Sequence, residues 1–477
     1  MRNLTMLTDL YELTMMYGYW KKGMGRNRAV FDMFYRATSE TTVYAIAAGL
    51  EQVIDYINNL RFEEHDIEYL RSLNLFDEEF LNYLRGFKFT GDIMAVPEGT
   101  LVFSYEPIVR VTAPIMEAQL LETALLNIVN HQTLIATKAS RVVQAADGGT
   151  VLEFGLRRAQ GPDAGIYGAR AAVIAGCKAT SNVLTGEMFG IPVGGTHAHS
   201  WVMSFPDELE AFRAYAEIFP TNCMLLVDTY DTLGSGMPNA IKVFGELRAR
   251  GYEPVGIRLD SGDLAYLSRE CRRMMDEAGF PNAKVFASGD LDEELIWDLK
   301  AQGAAIDVWG VGTRLITSQD CPALGGVYKL AAEEVDGKFV PKIKISENPA
   351  KVTNPGQKML YRLYDSAGMA VADLITLDHE RIDESKPLTI FDPVDTWKKL
   401  TLTNFKARRL LVPVFEGGRQ VYESPKLIDI QAYCQRELDT FWAQYKRLRN
   451  PHRYKVDLSD ELWMLKHTML QRRQERV

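Results

Sequence analysis

The sequence predicts an α/β fold. Its centre is an irregular parallel α/β (TIM-like) barrel, short of the usual strand number, packed on an α+β domain built from the N-terminal and post-barrel segments. Three observations predict it. Between residues 151 and 313, six apolar runs of strand length each end at once in Gly or a reactive or charged side chain. Helix-length segments with good start and stop residues separate those runs. On either side of this stretch the patterning changes to hairpins. Strands that carry their polar residues only at the C-terminal end are the layout of a parallel barrel whose chemistry sits on that face.

Taken in order, residues 4–22 and 46–60 read as helices, and 78–86 as a short helix stopped by Gly86. Residues 92–111 read as paired strands around Pro97-Glu98-Gly99-Thr100. A long helix is expected over 117–145, with Asn127, Asn130, His131, Thr133, Thr137 and Lys138 among its apolar residues. That mixture fits a site or interface as well as it fits a plain outer face. The six runs follow, ending in Phe154-Gly155, Gly194-Gly195-Thr196-His197-Ala198-His199, Asp228, Arg258-Leu259-Asp260, Ser288-Gly289-Asp290 and Gly310-Val311-Gly312-Thr313. Helices are expected between them at 206–218, 238–250, 264–278 and 292–302, with Gly251, Gly279 and Gly303 as stops. Hairpins are expected at 329–344 around Asp336-Gly337 and at 359–375 around Ser366-Ala367-Gly368, with a loop of two Asn-Pro pairs between them. Three regions result: an N-terminal α+β domain over 1–130, completed by strands from about 331–400; the barrel over 131–330; and a mostly helical segment over 401–477. Its last basic stretch, 471–477, reads as a solvated helix end.

A chain of 477 residues exceeds one ordinary core. With 47% hydrophobic and 25% charged residues it is expected to be a soluble globular protein. A net charge of -9 argues against a nucleic-acid binder or an anionic membrane partner. Five scattered cysteines without a CxxC pair fit a reducing cytoplasm. No signal peptide and no membrane-spanning run are expected.

The rim residues suggest chemistry on an anionic substrate. The Gly turns at Ser261-Gly262-Asp263, Ser288-Gly289-Asp290 and Gly310-Val311-Gly312-Thr313 can bring backbone N–H groups to phosphate oxygens; ordinary βα turns look the same. Arg157, Arg158 and Arg258 suit phosphate or carboxylate capture, or else ion pairs to Glu153, Asp228 or Asp260. Asp228, Asp260, Asp263 and Asp290 could accept ribose hydroxyls or share Mg²⁺ with phosphates. His197 and His199 are open to three readings: a metal pair lacking a third ligand, a nucleophile or acid–base oriented by Asp228, or buried structural histidines. Lys351, Lys358 and Arg362 flank the Asn-Pro loop and either reach pyrophosphate or ATP or form a solvated basic loop.

Five motifs in order resemble one family. Thr8-Asp9-Leu10-Tyr11, Glu153-Phe154-Gly155-Leu156-Arg157-Arg158-Ala159-Gln160-Gly161, Gly195-Thr196-His197-Ala198-His199-Ser200, Arg258-Leu259-Asp260-Ser261-Gly262-Asp263 and Gly310-Val311-Gly312-Thr313 resemble the nicotinate phosphoribosyltransferases. The resemblance covers about residues 8–362. It implies formation of nicotinate mononucleotide and pyrophosphate from nicotinate and phosphoribosyl pyrophosphate, coupled to ATP hydrolysis, as the first step of NAD synthesis from nicotinate. It implies that His199, and not His197, is phosphorylated by ATP, with Asp228 holding its ring. Phe154 and Tyr11 would sandwich the pyridine ring, Tyr11 coming from the other subunit of a homodimer. Thr196 and Arg258 would contact nicotinate. Arg157, Gly289, Asp290, Gly312 and Thr313 would hold the ribose phosphate, and Asp260 the ribose. Mg²⁺ would ride on the substrate phosphates. The related nicotinamide enzymes carry an Asp where Ser181 aligns; Ser can donate to a carboxylate that Asp repels, which favours nicotinate. Two other readings remain: a sugar-phosphate isomerase or lyase, which would need a Lys or Glu base at a strand end, and a phosphosugar-binding sensor without catalysis.

Overall fold

The computed structural model describes residues 2–36 and 43–474. The end of the basic stretch, 475–477, lies outside the described residues. Two compact units form: one from 1–134 and 323–477, the other from 135–322.

The unit over 135–322 holds the apolar runs. Six parallel strands pair in the order Ala179–Thr180, Thr150–Glu153, Val308–Val311, Lys284–Ala287, Gly256–Leu259, Met224–Leu226. Val151, Leu225, Ile257 and Val285 are buried at 1% exposure or less, so these strands read as continuous apolar runs because both faces are covered. The intervening helices start and stop where their residues dictate. Asp263 and Asp292 accept the backbone N–H of Tyr266 and Leu295, capping Leu264–Glu277 and Glu293–Ala301. Gly251 and Gly279 take positive φ just past helix ends, where a side chain would be strained.

The parallel α/β arrangement is as expected; a closed barrel is not formed by the described residues. The run at 191–196 is the reason. It was expected as a strand, but it makes only an isolated parallel bridge, Val193 to Thr180. Pro192 has no N–H to give a ladder, and Gly194-Gly195 favours no extended strand. The edge strand Met224–Leu226 therefore meets no seventh strand. Instead the Leu226 N–H donates to Nε2 of His197 at 3.3 Å.

The other unit is built on antiparallel pairing. Its largest sheet runs Lys338–Pro341, Gly326–Val335, Arg28–Tyr35, Val109–Pro114, Asp92–Ala95, Val412–Glu416, Arg419–Gln420. Both expected hairpins are present: Gly326–Val335 with Lys338–Pro341, and Lys358–Tyr364 with Ala370–Leu377. The pairing expected within 92–111 differs. Asp92–Ala95 pairs with Val109–Pro114, while Leu101–Val102 pairs with Ala45–Ile46. The segment 401–477, expected to be mostly helical, alternates helices with strands. Lys406–Arg409 and Val456–Leu458 join the Lys358–Leu377 hairpin in a four-stranded sheet. Leu363, Ala372, Leu374, Ile390, Leu402 and Phe405 form its core.

The first motif is partly architectural. Glu12, on helix Leu10–Lys21, is fully buried. Its carboxylate accepts from Thr8, and from the backbone N–H and hydroxyl of Thr123 at 2.8 and 2.6 Å. An anion at the start of helix Glu122–Ala146 satisfies amides that have no helical partner. The helix bearing Tyr11 is thereby fixed, and Tyr11 remains 44% exposed on it.

Candidate active site

Strand ends of the parallel unit converge on Arg258. It lies next to last in strand Gly256–Leu259 and is largely buried, its side chain 14% exposed. Its Nε donates to Ser288 Oγ at 2.9 Å, Nη1 to Thr196 Oγ1 at 3.0 Å, and Nη2 to Asp260 Oδ1 at 2.8 Å. Its guanidinium carbon lies 6.0 Å from the centre of the Phe154 ring. The ion pair expected as an alternative therefore exists, to Asp260, and it leaves two of five N–H groups for a ligand. Burial pushes the Asp260 carboxyl up, but Ser288 and the Arg258 charge outweigh it and hold it below its ordinary value.

Phe154 follows strand Thr150–Glu153, and its N–H donates to Val311 O at 2.8 Å. Its ring lies over Gly310 on the neighbouring strand. A Cβ at 310 would stand 2.7 Å from two ring carbons, so only glycine leaves the ring in place. The turns carrying Phe154 and Ser181 are tied together by Glu153. This buried carboxylate accepts from the Gly155 N–H and from Thr180 Oγ1, and the Ser181 N–H bonds Glu153 O at 3.0 Å. Burial raises the Glu153 carboxyl, opposed by those two donors.

His199 opens a short helix, His199–Met203, rather than ending a strand. Its Nε2 lies 3.2 Å from Asp228 Oδ1. Asp228 Oδ2 accepts the Asp260 N–H at 2.8 Å and Ser261 Oγ at 2.7 Å. The carboxylate can only accept, so Nε2 donates to it and Nδ1 is the ring nitrogen not engaged by Asp228. The histidine is thus joined, through one buried carboxylate, to the strand end bearing Asp260.

His197 has the separate role already described. Burial pushes it down to about 4 from 6.5, so it stays neutral and Nε2 can accept. Because the folded state depresses this value, its contribution is complete above about pH 6.5 and is lost as pH falls through about 4. Wild type should lose up to about 3 kcal/mol more than His197→Gln between pH 7 and 4. Urea midpoints at both pH values check this, and equal losses would refute it.

The remaining expected residues are placed as follows. Arg157 and Arg158 lie exposed in the turn Leu156–Arg158, and Arg157 makes no ion pair among the described residues. Gly289 crosses so close to Asp260 O that no side chain fits, and Asp290 follows, exposed, at φ 47°. Gly312 and Thr313 begin the turn Thr313–Ile316. Asp263 is exposed and caps helix Leu264–Glu277 through Oδ1. Tyr11 belongs to the other unit. Lys358 and Arg362 are corrected in both readings. They are buried in ion pairs, Lys358 to Asp32 at 2.6 Å and Arg362 to Asp373 at 2.6 Å. Asp32 lies on a strand far along the chain, and Asp373 stands opposite Arg362 on the paired strand of its hairpin, relations that loop composition could not show. Ser288 was passed over beside the more conspicuous Gly289; a small hydroxyl at the end of an apolar run was the only signal. Among the described residues no three His, Cys, Asp or Glu side chains are placed to hold a metal, and no helix is long and apolar enough to cross a membrane.

Comparison with known proteins meets this geometry. Residues 6–130 match the nicotinate phosphoribosyltransferase N-terminal domain, and residues 357–466 the C-terminal domain of the same family. The Bacillus subtilis nicotinate phosphoribosyltransferase is 51% identical over 462 residues, covering 97% of this chain and 94% of its own. That of Dictyostelium discoideum is 37% identical, covering 97% and 88%. The crystal structure of human nicotinic acid phosphoribosyltransferase superposes with a TM-score of 0.86 at 31% identity, over 97% of this chain and 99% of that one. These relatives are phosphoribosyltransferase enzymes. Within that class, the chain belongs to the nicotinate phosphoribosyltransferase family.

Proposed function

We propose that the chain forms nicotinate mononucleotide and pyrophosphate from nicotinate and phosphoribosyl pyrophosphate, and that it couples this to hydrolysis of ATP through a phosphate carried on His199. The link from His199 through Asp228 to the Asp260 backbone carries the proposal. The transfer needs no general base, because the pyridine nitrogen bears no proton at neutral pH. A histidine held by a buried carboxylate beside the sugar end is then available for phosphoryl transfer. Nδ1 attacks the γ-phosphorus, the bond to the bridging oxygen breaks, and ADP leaves. Water later releases the phosphate.

Phe154 and the two remaining Arg258 N–H groups suit an aromatic carboxylate, and Ser181 can donate to it where an Asp would repel it. Asp260 takes the ribose. Arg157, Gly289, Asp290, Gly312 and Thr313 take the phosphate end, where cation and backbone N–H groups neutralise charge. Charge develops at the leaving pyrophosphate, and Mg²⁺ bound to the substrate phosphates supplies neutralisation there. Asp260 and Asp290 are the rim carboxylates that would share it, in keeping with an ion that prefers few carboxylates plus phosphate oxygens. The other face of the pyridine ring would be covered by Tyr11 of a second copy, making the active unit a homodimer. The thiols suit a cytoplasmic setting.

The test is incubation with γ-labelled ATP, followed by acceptor assays with nicotinate and nicotinamide. Acid-labile, base-stable label on the protein and use of nicotinate alone are expected. Absence of label removes the phosphohistidine; equal use of nicotinamide removes the acid reading.

A further inference from the structure

Ser288 stands directly after strand Lys284–Ala287 and is 5% exposed. Its N–H donates to Leu259 O at 2.9 Å, which fixes its backbone against the strand bearing Arg258. Gly289 then passes over Asp260 O too closely for a side chain, so the turn cannot move outward without losing that approach. The Ser288 hydroxyl is therefore held in place, and it does two things there. It accepts from Arg258 Nε at 2.9 Å, and it donates to Asp260 Oδ1. Asp260 Oδ1 also accepts from Arg258 Nη2, so the three side chains close a ring of hydrogen bonds.

The Nε and Nη2 edge of a guanidinium matches the two oxygens of a carboxylate, and the favoured union of the two is bidentate. Arg258 and Asp260 are two residues apart on one strand end, and such a union is within their reach. Ser288 prevents it by occupying Nε. Only Oδ1 of Asp260 is engaged by Arg258, and Oδ2 takes no hydrogen bond from the described residues. Had the pair collapsed, both oxygens would be spent on Arg258 and the guanidinium would be turned toward Asp260.

We propose that Ser288 is a positioning residue that keeps Arg258 and Asp260 in a one-oxygen pair, so that the carboxylate-binding cation and the ribose-binding carboxylate stay available to two different substrates. This rests on the roles given above to Arg258 and Asp260.

Ser288→Ala should raise KM for nicotinate and for phosphoribosyl pyrophosphate together, by about tenfold each, the scale of one lost hydrogen bond to a charged group. The same change made in an Asp260→Asn background should raise nicotinate KM by less than about twofold, because a neutral amide cannot form the collapsed ion pair. Ser288→Cys, similar in shape and a weak donor, gives the same reading should the alanine variant not fold. A loss confined to thermal stability with both KM values unchanged overturns the proposal. So does an undiminished effect in the Asp260→Asn background. The underlying roles fail separately: Arg258→Ala leaving nicotinate KM unchanged, or Asp260→Asn leaving phosphoribosyl pyrophosphate KM unchanged, removes the reading of the site itself.

Discussion

His199→Ala should abolish the ATP hydrolysis that accompanies turnover while slow, ATP-independent transfer persists. The two activities separate because His199 touches the transfer only through Asp228. Phe154, Arg258 and Asp260, to which the proposal gives nicotinate and ribose, stay where they are: Arg258 is held by Thr196, Ser288 and Asp260, and none of these bonds involves the His199 side chain. Asp228 also keeps its place, since the Asp260 N–H and Ser261 Oγ hold Oδ2. What vanishes is the phosphate that would add one to three charge-assisted contacts beside the substrate phosphates. Each such contact is worth about a factor of ten, so kcat/KM for transfer in the presence of ATP should fall by about ten- to a thousandfold. Nucleotide hydrolysis and mononucleotide formation measured in parallel decide it. Unchanged hydrolysis in the variant would sink the assignment.

Arg362→Ala should destabilise the fold by about 3–5 kcal/mol, the cost of stranding buried charge. Arg362 has no exposed surface. Its Nε and Nη2 grip Asp373 at 2.9 and 2.6 Å, Nη1 reaches Glu437 at 3.2 Å, and Nη2 also reaches Leu101 O at 2.7 Å. The Phe441 ring lies 4.8 Å from its guanidinium carbon. Without it, Asp373 keeps only the Tyr454 hydroxyl at 3.0 Å among these partners. Glu106 stands nearby, its carboxyl already raised well above the ordinary range by burial and by Asp373. Asp373 would then be left in a dry pocket beside Glu106 without the guanidinium that balances its charge. Because domains are commonly stable by about 5–15 kcal/mol, the variant should be close to unfolding. Urea midpoints measure the loss. A variant of unaltered stability whose only defect is KM for phosphoribosyl pyrophosphate would return Arg362 to the pyrophosphate role that its neighbourhood in the sequence suggested.

These two residues show what the sequence could and could not disclose. The polar strand ends were legible because parallel strands covered on both faces admit polar residues only where they emerge. Helix limits were legible because Asp263, Asp292 and the stop glycines act locally. The seam beside Met224–Leu226 was not, since nothing in the sequence around His197 announces that an imidazole will take the place of a ladder partner. Nor was the burial of Arg362, whose partners lie 11 and 75 residues away and acquire meaning only once strands and a helix are packed. The contribution of Ser288 depends on a closed ring of bonds among three turns, a relation without a signature in any one of them.

The buried thiols have a consequence of another kind. Cys177 and Cys223 are fully buried, and so are Cys271 and Cys434. Burial pushes Cys223, Cys271 and Cys434 up to about 12 and Cys177 higher still. Peroxide and electrophiles attack the thiolate, and only where they can reach it. None of these four thiols belongs to the strand-end group of His199, Asp228, Arg258, Asp260, Ser288 and Phe154. Four of the five thiols are therefore closed to peroxide and electrophiles, and the sulfur they could reach is that of the partly buried Cys321 and of exposed methionines such as Met203.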